Sequence, residues 1–293
     1  MSARGAHFHF PVRARRLALV AALGFGLAGA NPALAEPAAI RIGMIPDAGA
    51  TQVSIEQKAP LRAYLERALG RSVQLIIPTN YNATVEGLGN GSLDIAYLGG
   101  LTFVKAHERY GAVPLVQRET DREFHALFIT QADSPIKSLT DLKDKSFAFG
   151  DINSTSGHLM PYRAMLKVGI DADKDIKFRY TGSHAATIKA VESGAVDAGA
   201  CDETVFRQMT KDGKADGGKL RVFYTTEPFV DYVWAARSDL DAPTQEAVVK
   251  AFVSLRPGKD DEILTILRGE KFVAADNAEY DAIRATAKQL KLF

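Results

Sequence analysis

The alternation of short strand-like runs with longer helix-like segments is the feature that most limits what this chain can fold into. From Ile40 onward, runs rich in β-branched and aromatic residues are followed by segments with apolar residues at helical spacing. The first series has strands at 40–45, 73–77, 94–98 and 113–117, with helices between them. This order predicts an α/β fold with mostly parallel strands and helices on both faces of the sheet.

The pattern then restarts in the middle of the chain. Strands are predicted at 125–130, 146–149, 177–180, 194–200, 221–224 and 232–237, and the tail from 244 has a helical pattern. We predict two Rossmann-like α/β lobes joined by two hinge strands: lobe 1 from 36–124 and 229–293, and lobe 2 from 125–228. Ligands of open α/β sheets bind beyond the carboxyl ends of the strands, so the cleft between the lobes is the expected site.

The first 35 residues have a different character from the rest of the chain. Four arginines precede an apolar run at 17–30, and Ala33-Leu34-Ala35 follows it. This is the pattern of a secretory signal peptide cleaved after Ala35, and it predicts export to a bacterial periplasm. The alternative, a membrane anchor, is disfavoured because the run is short for a membrane span.

Composition excludes several classes of function. Four of the 36 Lys and Arg residues leave with the signal peptide, so 32 basic residues remain against 35 acidic ones. No basic cluster is interleaved with aromatic residues, so a nucleic-acid partner is not expected. Cys201 is the single cysteine and cannot form an internal disulfide. The sequence shows neither a metal-ligand spacing nor a nucleophile–base–orienter trio, so we expect no cofactor, metal or enzymatic activity. Because no cysteine at the cleavage point could carry a lipid, we expect the mature protein to be soluble, and we expect a monomer.

Two turns rich in hydroxyl groups carry the main functional signal. The first hydroxyl turn (153–158) and the second hydroxyl turn (181–184) each follow a predicted strand, precede a predicted helix and end in a histidine. The first N–H groups of a helix lack intrahelical partners and carry the positive end of its dipole, so such turns bind anions. We predict that Thr155, Ser156, His158 and His184 bind a small oxyanion. The alternative is that the hydroxyls only cap helices and the histidines are structural.

Residues at strand ends supply further candidates. Tyr97 ends the third strand, where it could line the cleft or pack against a helix. Asp202 could accept a proton from a partly protonated oxyanion, or it could cap a helix. Cys201 could touch the ligand as a soft thiolate, or it could be a buried apolar residue. Asp47 and Thr51, at the first helix start, are weaker candidates.

Several of these stretches together resemble one protein family. Residues 44–47, 94–104, 150–160 and 181–199 are similar to the periplasmic phosphonate/phosphite-binding proteins of ABC importers, and the resemblance covers roughly 40–255. It implies a type II periplasmic binding fold that closes like a clamshell on an oxyanion. It also implies an ABC permease as membrane partner and a ligand-facing position for His184.

The chain departs from the family pattern at two places. It has Gly99-Gly100 where phosphite and phosphonate binders usually have Gly-Pro, a form similar to selenate-binding and arsenite-sensing branches. It also has Cys201 at a position next to the ligand. The predicted ligand is therefore a phosphonate, a phosphite or a selenate-like oxyanion. The alternative function is an arsenite or oxyanion sensor that signals to a membrane histidine kinase.

Overall fold

Two β-sheets organise the protein. The computed structural model describes residues 38–46 and 55–292, so the predicted signal peptide, Asp47 and Thr51 lie outside the described residues. Its strands are β1 (Ile40–Met44), β2 (Val73–Ile76), β3 (Ile95–Leu98), β4 (Val113–Arg118), β5 (Ala126–Gln131), β6 (Ser146–Phe149), β7 (Lys177–Tyr180), β8 (Ala198–Asp202), β9 (Leu220–Thr225), β10 (Val233–Ala236) and β11 (Phe272–Ala274).

Helices follow most of the strands. They are α1 (Ala59–Leu69), α2 (Tyr81–Gly89), α3 (Gly100–Tyr110), α4 (Met160–Lys167), α5 (Ala172–Asp175), α6 (His184–Glu192), α7 (Glu203–Lys211), α8 (Ala242–Val253), α9 (Asp261–Leu267) and α10 (Asp281–Gln289). A π-helix, Thr155–Leu159, leads directly into α4. Side chains of Ser183 and Asp202 cap α6 and α7 by accepting backbone N–H groups. No helix in the described part of the chain is long and apolar enough to span a membrane.

The strand order explains how the two lobes are connected. The lobe 1 sheet has the order β11-β4-β10-β3-β1-β2, and the lobe 2 sheet has the order β7-β6-β8-β5-β9. The chain crosses to lobe 2 between β4 and β5 and returns between β9 and β10. The first strand after each crossing is inserted antiparallel between two others: β5 lies between β8 and β9, and β10 lies between β3 and β4. The sheets are therefore mixed at these places, which the expectation of mostly parallel strands did not include.

Apolar side chains fill both faces of the lobe 2 sheet. Along β5, Phe128 packs into one cluster, whereas Leu127 and Ile129 pack into another on the opposite face. This alternation follows from the two-residue period of a strand. In lobe 1, a larger cluster surrounds the sheet and includes Trp234 of β10. It also takes in Leu159 and Met160 of lobe 2, so apolar contact continues across the cleft.

One part of the chain differs from its predicted structure. The tail was expected to be helical, and α8, α9 and α10 agree with that pattern. Residues 272–274, however, form β11, which pairs antiparallel with the edge of β4. Three residues are too few for a strand signal in the sequence, and the free edge of β4 decides their conformation.

The two crossing segments pair with each other. Phe124 and Phe229 exchange backbone hydrogen bonds of 2.9 and 3.0 Å, and the Asp231 N–H donates to the Asp121 carbonyl at 2.9 Å. The buried side chains of Arg118 and Asp121 form an ion pair within the first crossing. The crossings therefore form a short two-stranded connection, which places residue 231 at the junction of the lobes.

Candidate functional site

The first hydroxyl turn begins the π-helix of lobe 2. Ser154 caps it, because its Oγ accepts the Gly157 N–H at 2.9 Å. Thr155 and Ser156 occupy the first turn, and each is only 1% exposed. A π-helix turn is wider than an α-helix turn and is common at functional sites. The hydroxyls of this turn are therefore enclosed where lobe 2 meets lobe 1.

The start of α3 faces this turn from lobe 1. The Leu101 N–H donates to Thr155 Oγ1 at 2.9 Å, across the cleft. The neighbouring Gly100 N–H donates to Asp231 Oδ1 at 2.8 Å. A Cβ on Gly99 would lie 3.2 Å from Thr155 Oγ1 and 3.3 Å from Asp231 Oδ1. A residue without a side chain at position 99 therefore allows a helix start, a hydroxyl and a carboxyl group to converge.

Asp231 is the acidic group of this junction, and it was not among the predicted site residues. It is 1% exposed. Burial raises the pKa of Asp231 to about 7, although the Gly100 N–H and the Thr155 hydroxyl act to lower it. Nearby Asp202 raises it further. The one sequence signal was a carboxylate inside the otherwise apolar run 229–234, immediately before a strand.

Two polar atoms at the junction are buried without a hydrogen-bond partner in the described part of the chain. They are Ser156 Oγ and Asp231 Oδ2. Most buried polar groups in proteins are hydrogen-bonded, because an unpaired one costs about 1–3 kcal/mol. One of these atoms is a hydroxyl that can donate, and the other is a carboxyl oxygen that can accept. The pair therefore suits a ligand that offers both an anionic oxygen and an O–H group.

His184 and Asp202 meet at the hydroxyl of Tyr232, a second residue that the sequence reasoning missed. Tyr232 donates to Asp202 Oδ2 at 2.7 Å, and its oxygen lies 3.3 Å from His184 Nε2. The Asp202 N–H donates to His184 Nδ1 at 3.2 Å, so Nε2 carries the ring proton in this arrangement. That nitrogen also lies 3.5 Å from Ser154 Oγ. His184 therefore joins the cap of the first hydroxyl turn to the second crossing segment.

Asp202 makes the capping contacts that were considered as its alternative role. Its Oδ1 accepts the N–H groups of Thr204 and Val205, and its Oδ2 accepts Tyr232. Burial acts to raise the pKa of Asp202, but nearby positive groups and the Tyr232 hydroxyl hold it below its usual value. Because protein donors occupy both oxygens, the predicted role of proton acceptor fits Asp231 better than Asp202.

Tyr97 forms an aromatic wall at this junction. Its ring is stacked on Tyr232, with centroids 5.1 Å apart and planes 12° apart. It also lies 5.0 Å from the Trp234 ring, centroid to centroid. Tyr97 lies near the end of β3, as the sequence predicts. The stacking fixes its ring beside Tyr232, which contacts His184 and Asp202.

His158, which is predicted to bind the oxyanion, contacts other groups within lobe 2. Its Nδ1 donates to the Ile152 carbonyl at 2.7 Å, and its Nε2 accepts the Tyr180 hydroxyl at 3.0 Å. Burial lowers the pKa of His158 to about 4, so the ring is neutral. In the wide π-helix turn, residues three apart do not lie one above the other, so Thr155 and His158 point to different surroundings. Both ring nitrogens are used inside lobe 2.

Cys201 is also placed away from the hydroxyls. It packs in the apolar cluster with Leu127, Ile188 and Val205. Burial raises the pKa of its thiol well above the usual value, which disfavours a thiolate. Neighbouring residues of a strand point to opposite faces. The side chain of Cys201 therefore enters the core of lobe 2, whereas that of Asp202 points to the other face and contacts Tyr232. These surroundings match the alternative of a small buried apolar residue.

A family described as ABC transporter, phosphonate, periplasmic substrate-binding protein matches residues 42–280. The chain belongs to this family. The predicted family is therefore confirmed, and the protein is a periplasmic substrate-binding component of ABC transporters. Among the described residues, no group of three or more His, Cys, Asp and Glu side chains is arranged to hold a metal ion.

Relatives within the family support the same fold. The chain is 31% identical over 276 residues to a probable ABC transporter phosphite-binding protein, PhnD1, of Prochlorococcus marinus, covering 89% of this chain and 92% of that protein. The structure of PhnD1 in complex with methylphosphonate superposes with a TM-score of 0.81, covering 87% of this chain and 99% of that one, at 29% identity. A phosphonates-binding periplasmic protein of Escherichia coli is 27% identical over 248 residues, covering 81% of this chain and 71% of that protein. The predicted two-lobe type II fold is confirmed.

Proposed function

We propose that this protein captures a small, singly ionised phosphorus oxyanion, of the size of phosphite or methylphosphonate, and delivers it to an ABC permease. The observation that carries the proposal is the buried, unpartnered pair of Ser156 Oγ and Asp231 Oδ2 beside the start of α3. Relatives named for phosphite and a relative bound to methylphosphonate support this choice of ligand.

The donors and acceptors of the junction match such a ligand. Enclosing an anion removes it from water, and this cost must be offset by directed hydrogen bonds. The Ser156 hydroxyl supplies a donor for the anionic oxygens. The N–H groups at the start of α3, the Thr155 hydroxyl and the His184 imidazole contact protein groups in this structure and would exchange those contacts for ligand oxygens. Asp231 supplies an acceptor for the remaining P–OH group. Tyr97 walls the cleft on the lobe 1 side.

The acidic group at the junction also sets the expected selectivity. Sulfate and selenate are fully ionised near neutral pH and offer no O–H group to Asp231. Above the pKa of Asp231, their binding would place an anion against an ionised carboxylate oxygen that still lacks a partner, which disfavours them. None of the relatives described above is named as a selenate binder or as a sensor, and no contact of Cys201 supports the arsenite alternative.

We further infer a monomeric protein without enzymatic activity, because the junction offers binding groups and no activated nucleophile. We take residues 1–35 as the signal peptide that directs it to the periplasm. We take the lobes to divide near residues 124 and 228, where the chain crosses between the sheets.

Ligand binding to purified protein lacking residues 1–35 tests the proposal. The melting temperature and calorimetric titrations are measured with phosphite, methylphosphonate, phosphate, sulfate, selenate and arsenite. A ligand that binds only the folded state raises the melting temperature. We expect phosphite or methylphosphonate to give the largest shift and sulfate and selenate to give little. A panel in which no phosphorus oxyanion binds, or in which selenate or arsenite binds most tightly, would overturn the proposal.

A further inference from the structure

A second contact between the lobes lies outside the anion junction. Lys105 of α3 donates from its Nζ to Asn153 Oδ1 of lobe 2 at 2.7 Å. Lys105 is only 7% exposed, although lysine is rarely buried. The cost of burying an ammonium group requires a partner that is present whenever the lobes are together. Asn153 supplies that partner from the opposite lobe.

Helix geometry relates this contact to the site. Leu101 and Lys105 are four residues apart, so they lie on the same face of α3, one turn from each other. Leu101 contacts Thr155 through its N–H, and Lys105 contacts Asn153 through its side chain. The first two turns of α3 therefore hold the first hydroxyl turn at two points, of which only the first belongs to the anion junction.

A hydrogen bond within the turn holds the backbone of Asn153 in place. The Asn153 N–H donates to Asp151 Oδ1 at 2.7 Å, which fixes the backbone just before the hydroxyls. Burial lowers the pKa of Lys105, and the nearby carboxylate of Asp151 acts against that effect. The hydrogen bond to Asp151 therefore fixes the backbone of the turn at the place where the Asn153 amide oxygen accepts from Lys105.

We propose that Lys105 and Asn153 form a latch that positions the first hydroxyl turn in the closed protein and thereby slows release of the bound anion. The proposal rests on the function proposed above, because the latch acts on the same closure. Lys105 is a positioning residue, since it acts through Asn153 and the turn. Ligand enters before the lobes close, so loss of the latch should change the dissociation rate more than the association rate.

Four variants test the latch: Lys105→Met, Asn153→Ala, the double variant and Asn153→Asp. Methionine retains the apolar stem of Lys105, so the fold should be kept. The control is Lys189→Met, because Lys189 pairs with Glu192 within α6 and not with a residue of the first hydroxyl turn. Rates of phosphite and methylphosphonate binding are measured by stopped flow, and amide hydrogen exchange of residues 150–160 is measured without ligand.

We expect Lys105→Met and Asn153→Ala each to release the ligand about tenfold faster, with little change in association, as for a lost hydrogen bond to a charged group. The double variant should release it no faster than the single variants, because both remove one interaction. Asn153→Asp should keep slow release, since a carboxylate still accepts from Lys105. Amides of 150–160 should exchange faster in Lys105→Met and Asn153→Ala and at the normal rate in Lys189→Met.

Two results would overturn the latch independently of the proposed function. One is unchanged amide exchange at 150–160 in both single variants, a measurement that needs no ligand. The other is wild-type dissociation rates in both variants while the wild-type protein binds its ligand. If the wild-type protein binds no phosphorus oxyanion, the proposed function fails, and the exchange measurement alone decides whether the latch exists.

Discussion

Replacing Asp231 with Asn should make the ligand-free protein more stable at alkaline pH while weakening its hold on the ligand. The amide of Asn can still accept the Gly100 N–H through its oxygen. It cannot ionise, and at the position of Oδ2 it offers a donor where the carboxylate offers an acceptor. Stability and binding should therefore change in opposite directions, which a general structural defect would not produce.

The size of the stability effect follows from the pKa of the carboxyl group. An ordinary Asp titrates near 3.8, whereas burial raises the pKa of Asp231 to about 7. The difference corresponds to about 4 kcal/mol. Because the folded protein holds this proton more tightly than the unfolded chain, the contribution is fully present below the unfolded pKa. It is lost as the pH rises from about 4 through about 7.

Chemical denaturation of the ligand-free wild-type and variant proteins at a series of pH values measures this contribution. The free energy of unfolding of Asp231→Asn, minus that of the wild type, should rise by about 3 kcal/mol between about pH 5 and about pH 8. Asp133→Asn, which removes a carboxyl group at an exposed position, serves as the control. Calorimetry should show the affinity of Asp231→Asn for methylphosphonate reduced about tenfold to a hundredfold, as for a lost hydrogen bond to a charged group.

The reasoning would be refuted by a stability difference that stays flat or falls with rising pH. Such a result would mean that Asp231 is not held with a raised pKa at the junction. If the stability curve is as expected but the affinity for methylphosphonate is unchanged, Asp231 has a raised pKa at the junction and is not the acceptor for the ligand.

Three further substitutions test the roles of Tyr232, His158 and Cys201. Tyr232→Phe leaves Asp202 Oδ2 without its donor, so calorimetry should show about tenfold weaker phosphite binding, and an unchanged affinity would exclude a role for this hydroxyl. His158→Phe removes two hydrogen bonds and should lower the free energy of unfolding by about 1–3 kcal/mol in urea denaturation. Because the ring is already neutral, the pH profile of ligand binding between about 5 and 8 should keep its shape, and an altered profile would contradict this assignment. Cys201→Ala should leave oxyanion affinity unchanged, and the native thiol should react with a thiol reagent far more slowly than the unfolded chain.

Local chain geometry could be read from the sequence because it depends on near neighbours. The alternation of strands and helices and the two hydroxyl turns at helix starts are local patterns, and each has its predicted structural counterpart. The position of the hydroxyl groups at a helix start could be predicted from the sequence for the same reason. Motifs spread over much of the chain then indicated the family.

The tertiary structure decided which side chains meet, because those contacts join distant parts of the chain. Asp231 reaches Gly100 only after the chain has crossed to lobe 2 and returned, so its raised pKa has no signal in its own neighbourhood. The π-helix directed His158 into lobe 2, and the two-sided pleat of β8 sent Cys201 into the core and Asp202 to Tyr232. The sequence by itself determined the elements and indicated the family. Packing between the lobes determined which carboxyl group, which histidine and which hydroxyls meet at the junction, because burial and partner geometry exist only in the folded chain.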